Sequence, residues 1–128
     1  MLYEQESTQS VDTLCERIHA ATSANGFGVL GVHNLREKMQ AKGVAFEQEC
    51  RIIEVCNPVQ AKKVLETNMS IANALPCRIC VYEEAGKVKV STLRPTAVLS
   101  LFATPGLNRV AREVEAVIIK IIDTACRG

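Results

Sequence analysis

The sequence contains no tryptophan, and aromatic residues make up only 4% of it. Proteins that hold single strands stack bases on aromatic side chains, so this composition argues against that class of partner. An excess of charge of one sign is also missing. Fifteen basic residues stand against fourteen acidic ones, for a formal net charge of +1. Such a balance sets up no field to hold a phosphate backbone or an anionic bilayer. The longest apolar stretches, Val29–Val32 and Val117–Ile122, fall far short of the roughly 20 residues that span a membrane. The opening MLYEQESTQS has neither the basic nor the apolar segment of a secretory leader. Neither nucleic acid nor a membrane is expected as a partner, and a cytoplasmic location is expected. No linker, charge block, low-complexity tract or internal repeat divides residues 1–128, which read as a single domain. HExxH, GxSxG and Walker-type loops are absent. The segment GFGVLG at 26–31 lacks the GxGxxG spacing and reads as a strand. The sequence therefore names no cofactor.

What is present is an ordinary globular composition, 48% hydrophobic and 23% charged. Six cysteines occur. In a reducing compartment they read as free thiols, redox centres or metal ligands rather than as a disulfide framework. Leu2 and Tyr3 predict a short inward-facing strand. Val11, Leu14, Cys15, Ile18 and Ala21 follow the three–four spacing of a buried helical face, with Ser10 as N-cap and Asn25-Gly26 as the stop. Strands are predicted at Phe27–Val32 and Glu47–Val55, with a short helix over Leu35–Ala41 between them, ended by Gly43. Asn57-Pro58 has the chemistry of a helix start, Asn as cap and Pro at the first helical position. Arg78–Glu83 and Lys87–Leu93 predict a hairpin around Glu84-Ala85-Gly86. Thr104-Pro105 then opens a long C-terminal helix whose apolar stripe runs from Leu107 to Ala125. The expected class is α+β: two layers, a mainly antiparallel sheet covered by helices that include this long one. Ile119, beside the stripe, suggests that part of the helix meets a second subunit.

The chemistry-bearing candidates gather around Cys56 and Cys77. Cys56 ends a strand just before the predicted cap Asn57, where unpaired N–H groups and the helix dipole favour a thiolate. Cys77 begins a strand directly after a proline. If the two strands are neighbours, both sulfurs meet at one end of the sheet, suited to a soft metal, a dithiol–disulfide cycle or a persulfide. Burial as small hydrophobes is the plainer alternative. The CxxC at Cys77–Cys80 lies in a predicted strand, so its thiols point to opposite faces and do not share a metal. Cys50 and Cys56 sit on one strand about 20 Å apart. Cys15 reads as core, and Cys126 as lying in a fraying last turn. His19 falls at the edge of a packed helical face, and His33 at a strand end in a hydrogen-bonding position. Glu54, two residues before Cys56, needs a partner if it turns inward, and Arg78 is the expected one. Arg94, before Pro95, is either solvated or able to orient an anion.

Gly26-Phe27, Lys42-Gly43, Glu54-Val55-Cys56-Asn57-Pro58 with Ala61, Ala74-Leu75-Pro76-Cys77-Arg78 and Val81-Tyr82-Glu83 follow one another along nearly the whole chain. In that order they resemble domain-of-unknown-function family 302. The resemblance implies a small α+β domain of bacteria and archaea, often dimeric, with no established activity. Its motif residues match Cys56, Pro58, Pro76 and Cys77, whereas Cys15, Cys50, Cys80 and Cys126 lie outside the pattern. Three functional readings follow. The first is a small-ligand, soft-metal or sulfur-binding module using Cys56 and Cys77, with Glu54, Asn57 and Arg78 around them. The second is a thiol-redox enzyme with Cys56 as the reactive cysteine and Cys77 as its resolving partner. The third is a homodimeric assembly protein whose thiols only pack.

Overall fold

A computed structural model describes residues 1–127. Among them the elements run β1 (Leu2–Ser7), α1 (Val11–Ala24), β2 (Gly28–Asn34), α2 (Leu35–Ala41), β3 (Cys50–Cys56), α3 (Pro58–Thr67), a 3-10 helix (Met69–Ala74), β4 (Cys77–Glu84), β5 (Lys87–Leu93), α4 (Pro95–Leu99) and α5 (Leu107–Cys126). The strands form one sheet in the order β1-β5-β4-β3-β2, and every neighbouring pair is antiparallel. Helices α1 and α5 lie side by side on one face. This is the expected two-layer α+β arrangement.

The periodicities explain the packing. On α1, Leu14 and Ile18 are fully buried, and on α5 Ile118, Ile121 and Ile122 are too. They meet the alternate residues of the sheet, Ile53 and Val55 of β3, Ile79 and Val81 of β4 and Val90 of β5. Each such side chain removed from water contributes roughly 1.5–3 kcal/mol before entropy is counted. A smaller cluster of Val64, Ile71, Leu99, Leu107 and Ala111 ties α3, the 3-10 helix and α4 to the start of α5. It forms the floor under the Cys56–Cys77 end of the sheet. No helix is long and apolar enough to cross a membrane among the described residues.

Caps form where the residue types call for them. The Ser10 side chain accepts from Thr13 N, and Asn57 accepts from Val59 N and Gln60 N. The β4–β5 turn is two residues long, with Ala85 and Gly86 both at positive φ, 53° and 76°. That combination matches the right-handed strand twist.

Some expectations need correction. Leu2 points away from the helices and is 51% exposed; Tyr3 is the inward residue, because β1 pairs with β5 in a register that sets Tyr3 opposite buried Thr92. Strand β3 begins at Cys50 rather than Glu47, and β2 runs on to Asn34 with a bulge at Leu30. Helix α5 begins at Leu107, not at Thr104-Pro105. Gly106 occupies the cap position at φ +78°, and the Thr104 hydroxyl accepts from Asn68 Nδ2 at 3.3 Å. The 3-10 helix and α4 have no counterpart in the predicted elements. Each is too short to display a period.

Candidate functional site

Antiparallel pairing of β3 with β4 sets Val55 opposite Cys77 and Glu54 opposite Arg78. Cys56 follows at the end of β3, where the chain turns into the Asn57 cap of α3. The neighbouring strands that the thiol pairing required are therefore present. Cys56 and Cys77 line one cavity of about 30 Å³ together with Phe27, Val64, Leu75 and Val114. The cavity lies between the sheet end, α3 and α5, and its lining is almost wholly apolar.

The electrostatics follow from that lining. Burial, and next the charge of Cys56, push the Cys77 thiol up to about 11, while Arg78 opposes them. Burial also raises Cys56. The expectation that the α3 N-terminus favours a Cys56 thiolate is thus corrected. The Asn57 side chain already satisfies Val59 N at 3.0 Å and Gln60 N at 3.2 Å, while the apolar lining of the cavity penalises charge. Both thiols are protonated at neutral pH.

Gln60 is a site residue that sequence reasoning did not single out. Its Nε2 donates to Glu113 Oε2 at 2.9 Å, which leaves Oε1 buried without a hydrogen-bond partner in a cavity that Gln60 itself lines. A polar residue on the first turn of α3 gives no periodic signal, so only the packing of α3 against α5 reveals it.

Glu54 and Arg78 lie on the sheet face away from α1 and α5. Their nearest atoms are 3.8 Å apart, and the closer partner of Glu54 is His33, with Nε2 to Oε1 at 2.9 Å. Lys38 Nζ lies 2.8 Å from His33 Nδ1. Gly31 makes room for this group, since a Cβ there would stand 3.2 Å from Glu54 Oε1. The expected Glu54–Arg78 pair is therefore the looser half of a larger cluster. Arg78 also borders a second cavity of about 220 Å³ between the 3-10 helix, β4 and α4, and Cys77 contributes to the walls of both cavities.

The remaining candidates separate. All six cysteines are free and half-buried. Cys126 packs against the core instead of fraying into solvent, and Cys15 packs there as expected. His19 is exposed, not at a packed edge. Arg94 is engaged: its guanidinium lies 5.3 Å from the centre of the Tyr3 ring and 3.6 Å from Glu115. Among the described residues, no group of three or more His, Cys, Asp or Glu side chains is gathered to hold a metal ion.

A profile described as "Domain of unknown function DUF302" matches residues 3–125. Among solved structures, the uncharacterized conserved protein DUF302 from Bacillus stearothermophilus is similar, with a TM-score of 0.91 at 32% sequence identity and 98% of each chain covered. No curated protein matches the chain.

Proposed function

The chain belongs to the DUF302 family, a domain of unknown function, and from that premise we propose that it is a binding module for a small thiophilic guest held between Cys56 and Cys77. The observation that carries this reading is the cavity: about 30 Å³, apolar, with two protonated thiols and the unpartnered Gln60 Oε1 in its wall. Pockets for metabolites and drug-sized molecules run to roughly 300–1,000 Å³, so the guest is a few atoms at most. Two sulfur donors in an apolar shell suit a soft cation and disfavour a hard one. A sulfur atom fits the same chemistry. It would pass from a low-molecular-weight persulfide to one cysteine sulfur, the donor leaving as a thiol. Asn57 shapes the rim, and Arg78 lies beside Cys77 at the mouth of the larger cavity. Glu54 is outside, tied to His33.

A thiol enzyme that turns over has less support than a module that binds once, because burial raises both thiols and keeps scarce the thiolate that rapid nucleophilic attack needs. Homodimerisation belongs to the same proposal. Leu2 and Leu93 are register partners on the face away from α1 and α5, 51% and 55% exposed, and offer a second copy an apolar patch. Sedimentation equilibrium tests that part, and a monomer at all concentrations removes it.

For the module itself, protein is purified anaerobically and assayed by intact mass, metal content, cyanide-labile sulfur and peptide-resolved alkylation. The expected result is that one bound Cu(I) or sulfane sulfur shields Cys56 and Cys77 together, and that this shielding is lost in Cys56→Ala. If neither guest is taken up and both thiols stay unlabelled until the protein unfolds, they are packing residues and the proposal fails.

A further inference from the structure

A second pair of thiols lies outside this cavity. Cys50 of β3 stands opposite Tyr82, and Cys80 of β4 stands opposite Ile52. Partners in an antiparallel ladder point to the same face, and so do residues two apart. Cys50, Ile52, Cys80 and Tyr82 therefore form one square on the face away from α1 and α5, with the thiols on one diagonal and Ile52 and Tyr82 on the other. Ile79 and Val81, which flank Cys80, are fully buried on the helix face and fix Cys80 outward. Burial, and next charge on Cys50, raise the Cys80 thiol, the second in keeping with the proximity that the register implies.

The diagonal decides what the pair can do. Diagonal neighbours lie about 7–8 Å apart at Cα, whereas a disulfide needs roughly 4.4–6.8 Å. Closing a disulfide would pull the ladder out of register. Two metal–sulfur bonds of about 2.3 Å in line span about 4.6 Å, a gap that sulfurs reaching inward from the two Cβ atoms can close. From this spacing we propose that Cys50 and Cys80 form a two-coordinate clamp for a monovalent soft cation, Cu(I) or Ag(I), on the sheet face away from α1 and α5, where Cys80 also lines the cavity of about 220 Å³.

Binding breaks two S–H bonds, forms two sulfur–metal bonds and releases two protons, so a +1 ion becomes a −1 bis-thiolate unit. Two cations lie on the same face, Arg78 two residues before Cys80 and Lys89 opposite Tyr82, and each is shared with carboxylates: Arg78 with Glu54 at 3.8 Å, Lys89 with Glu84 at 2.8 Å and Glu4 at 3.9 Å. A zinc site would need four ligands; a soft ion satisfied by two thiolates is the class this square fits. The clamp is separate from the Cys56–Cys77 cavity and does not depend on it.

Ag(I) is the probe. Reduced protein is titrated anaerobically with Ag(I) and followed by native mass spectrometry and peptide-resolved alkylation. One bound ion is expected to protect Cys50 and Cys80 together, in addition to any ion held at Cys56 and Cys77. Cys50→Ala and Cys80→Ala should each weaken its binding by at least about 100-fold, given that even outer-shell changes cost 10–100-fold, and the double variant should weaken it no further. The effect should persist in Cys56→Ala, which separates this clamp from the cavity site. Dibromobimane, which bridges thiols a few ångströms apart, should cross-link Cys50 to Cys80 in the native protein and so gives a readout that needs no substitution. Equal alkylation of the two cysteines with and without Ag(I), or no bimane bridge, overturns the proposal.

Discussion

Cys77 stands directly opposite Val55 in the β3–β4 ladder, and Val55 is fully buried. The register therefore carries the thiol onto the core face, and that placement makes it a poor acid. Its folded-state value is about 11 against an ordinary 9.0. The sign of the linkage follows. A group whose value is raised by folding contributes stability that is fully present below pH 9 and is lost as pH climbs through 11. A difference of that size is worth about 3 kcal/mol.

The first prediction compares wild type with Cys77→Ala in urea between pH 8 and pH 11. At pH 8 the variant is less stable by roughly 1–2 kcal/mol, from the atoms removed and the space left behind. Wild type then loses stability faster than the variant above pH 9, and the two curves meet or cross by pH 11. The raised thiols other than Cys56, which is coupled to Cys77, act alike in both proteins and cancel. Parallel curves would mean that Cys77 is not the buried acid described.

The second concerns Asn57, which caps α3 and borders the cavity at once. Asn57→Ala removes the acceptor for Val59 N and Gln60 N and should cost about 1 kcal/mol. Asn57→Asp keeps the acceptor and adds a charge that the helix dipole favours, so its stability should stay within about 0.5 kcal/mol of wild type. Chemical denaturation of the three proteins at pH 7 checks the order. If Asn57→Ala is neutral, the cap contributes nothing.

Asn57-Pro58 and Cys77 show how far the sequence carries a reader. A cap residue followed by proline states a helix start in local chemistry, and α3 begins there. Likewise the three–four spacing of Leu14, Ile18, Ile118 and Ile122 states which faces are buried, because burial of a regular element imposes a period. The pairing of Val55 with Cys77 is non-local, and no spacing within either strand encodes it. Proximity of Cys56 to Cys77 was accordingly legible only as a conditional. The Cys50–Cys80 diagonal was hidden for the same reason: it depends on which residue of β4 faces which residue of β3. Electrostatics departs from the local rule where that rule meets a tertiary fact. The helix N-terminus is real, but the apolar cavity outweighs it at Cys56. Gln60 and the His33–Glu54 contact arise from packing between elements and leave no trace along the chain.

The third prediction lies in the β4–β5 turn. Ala85 sits at φ 53°, a left-handed conformation that costs an L-residue with a Cβ roughly 1–2 kcal/mol. Two-residue turns of this kind favour Asn-Gly. Ala85→Asn should raise stability by about 0.5–1 kcal/mol, read as a higher denaturation midpoint with an unchanged slope. Ala85→Val, which is branched at Cβ, should lower it. A gain from valine would mean that the turn does not hold the residue in this conformation.

Glu115 gives the fourth. Helix α4 has Arg94 at its cap position, and Arg94 makes no side-chain capping bond. Its first turn is capped from a distance instead: Glu115 Oε1, on α5, accepts from Thr96 N at 3.1 Å and from Thr96 Oγ1 at 2.7 Å. Burial opposes the charge on Glu115, but the Thr96 bonds and nearby Arg94 outweigh it and leave the carboxyl below its usual range. A lowered carboxyl contributes stability that is present above the ordinary carboxylate value and lost as pH falls through the folded one. Glu115→Ala therefore leaves Thr96 N without its acceptor and should cost about 1–3 kcal/mol at pH 7. Glu115→Gln keeps an acceptor for Thr96 but lacks the charge facing Arg94, so it should cost less. The gap between Glu115→Gln and wild type should close on acidification, because protonation turns the native side chain into a neutral one as well. Thermal unfolding of the three proteins at pH 7 and pH 3 measures both differences. If Glu115→Gln lies as far below wild type at pH 3 as at pH 7, the charge of Glu115 does not hold α4 against α5.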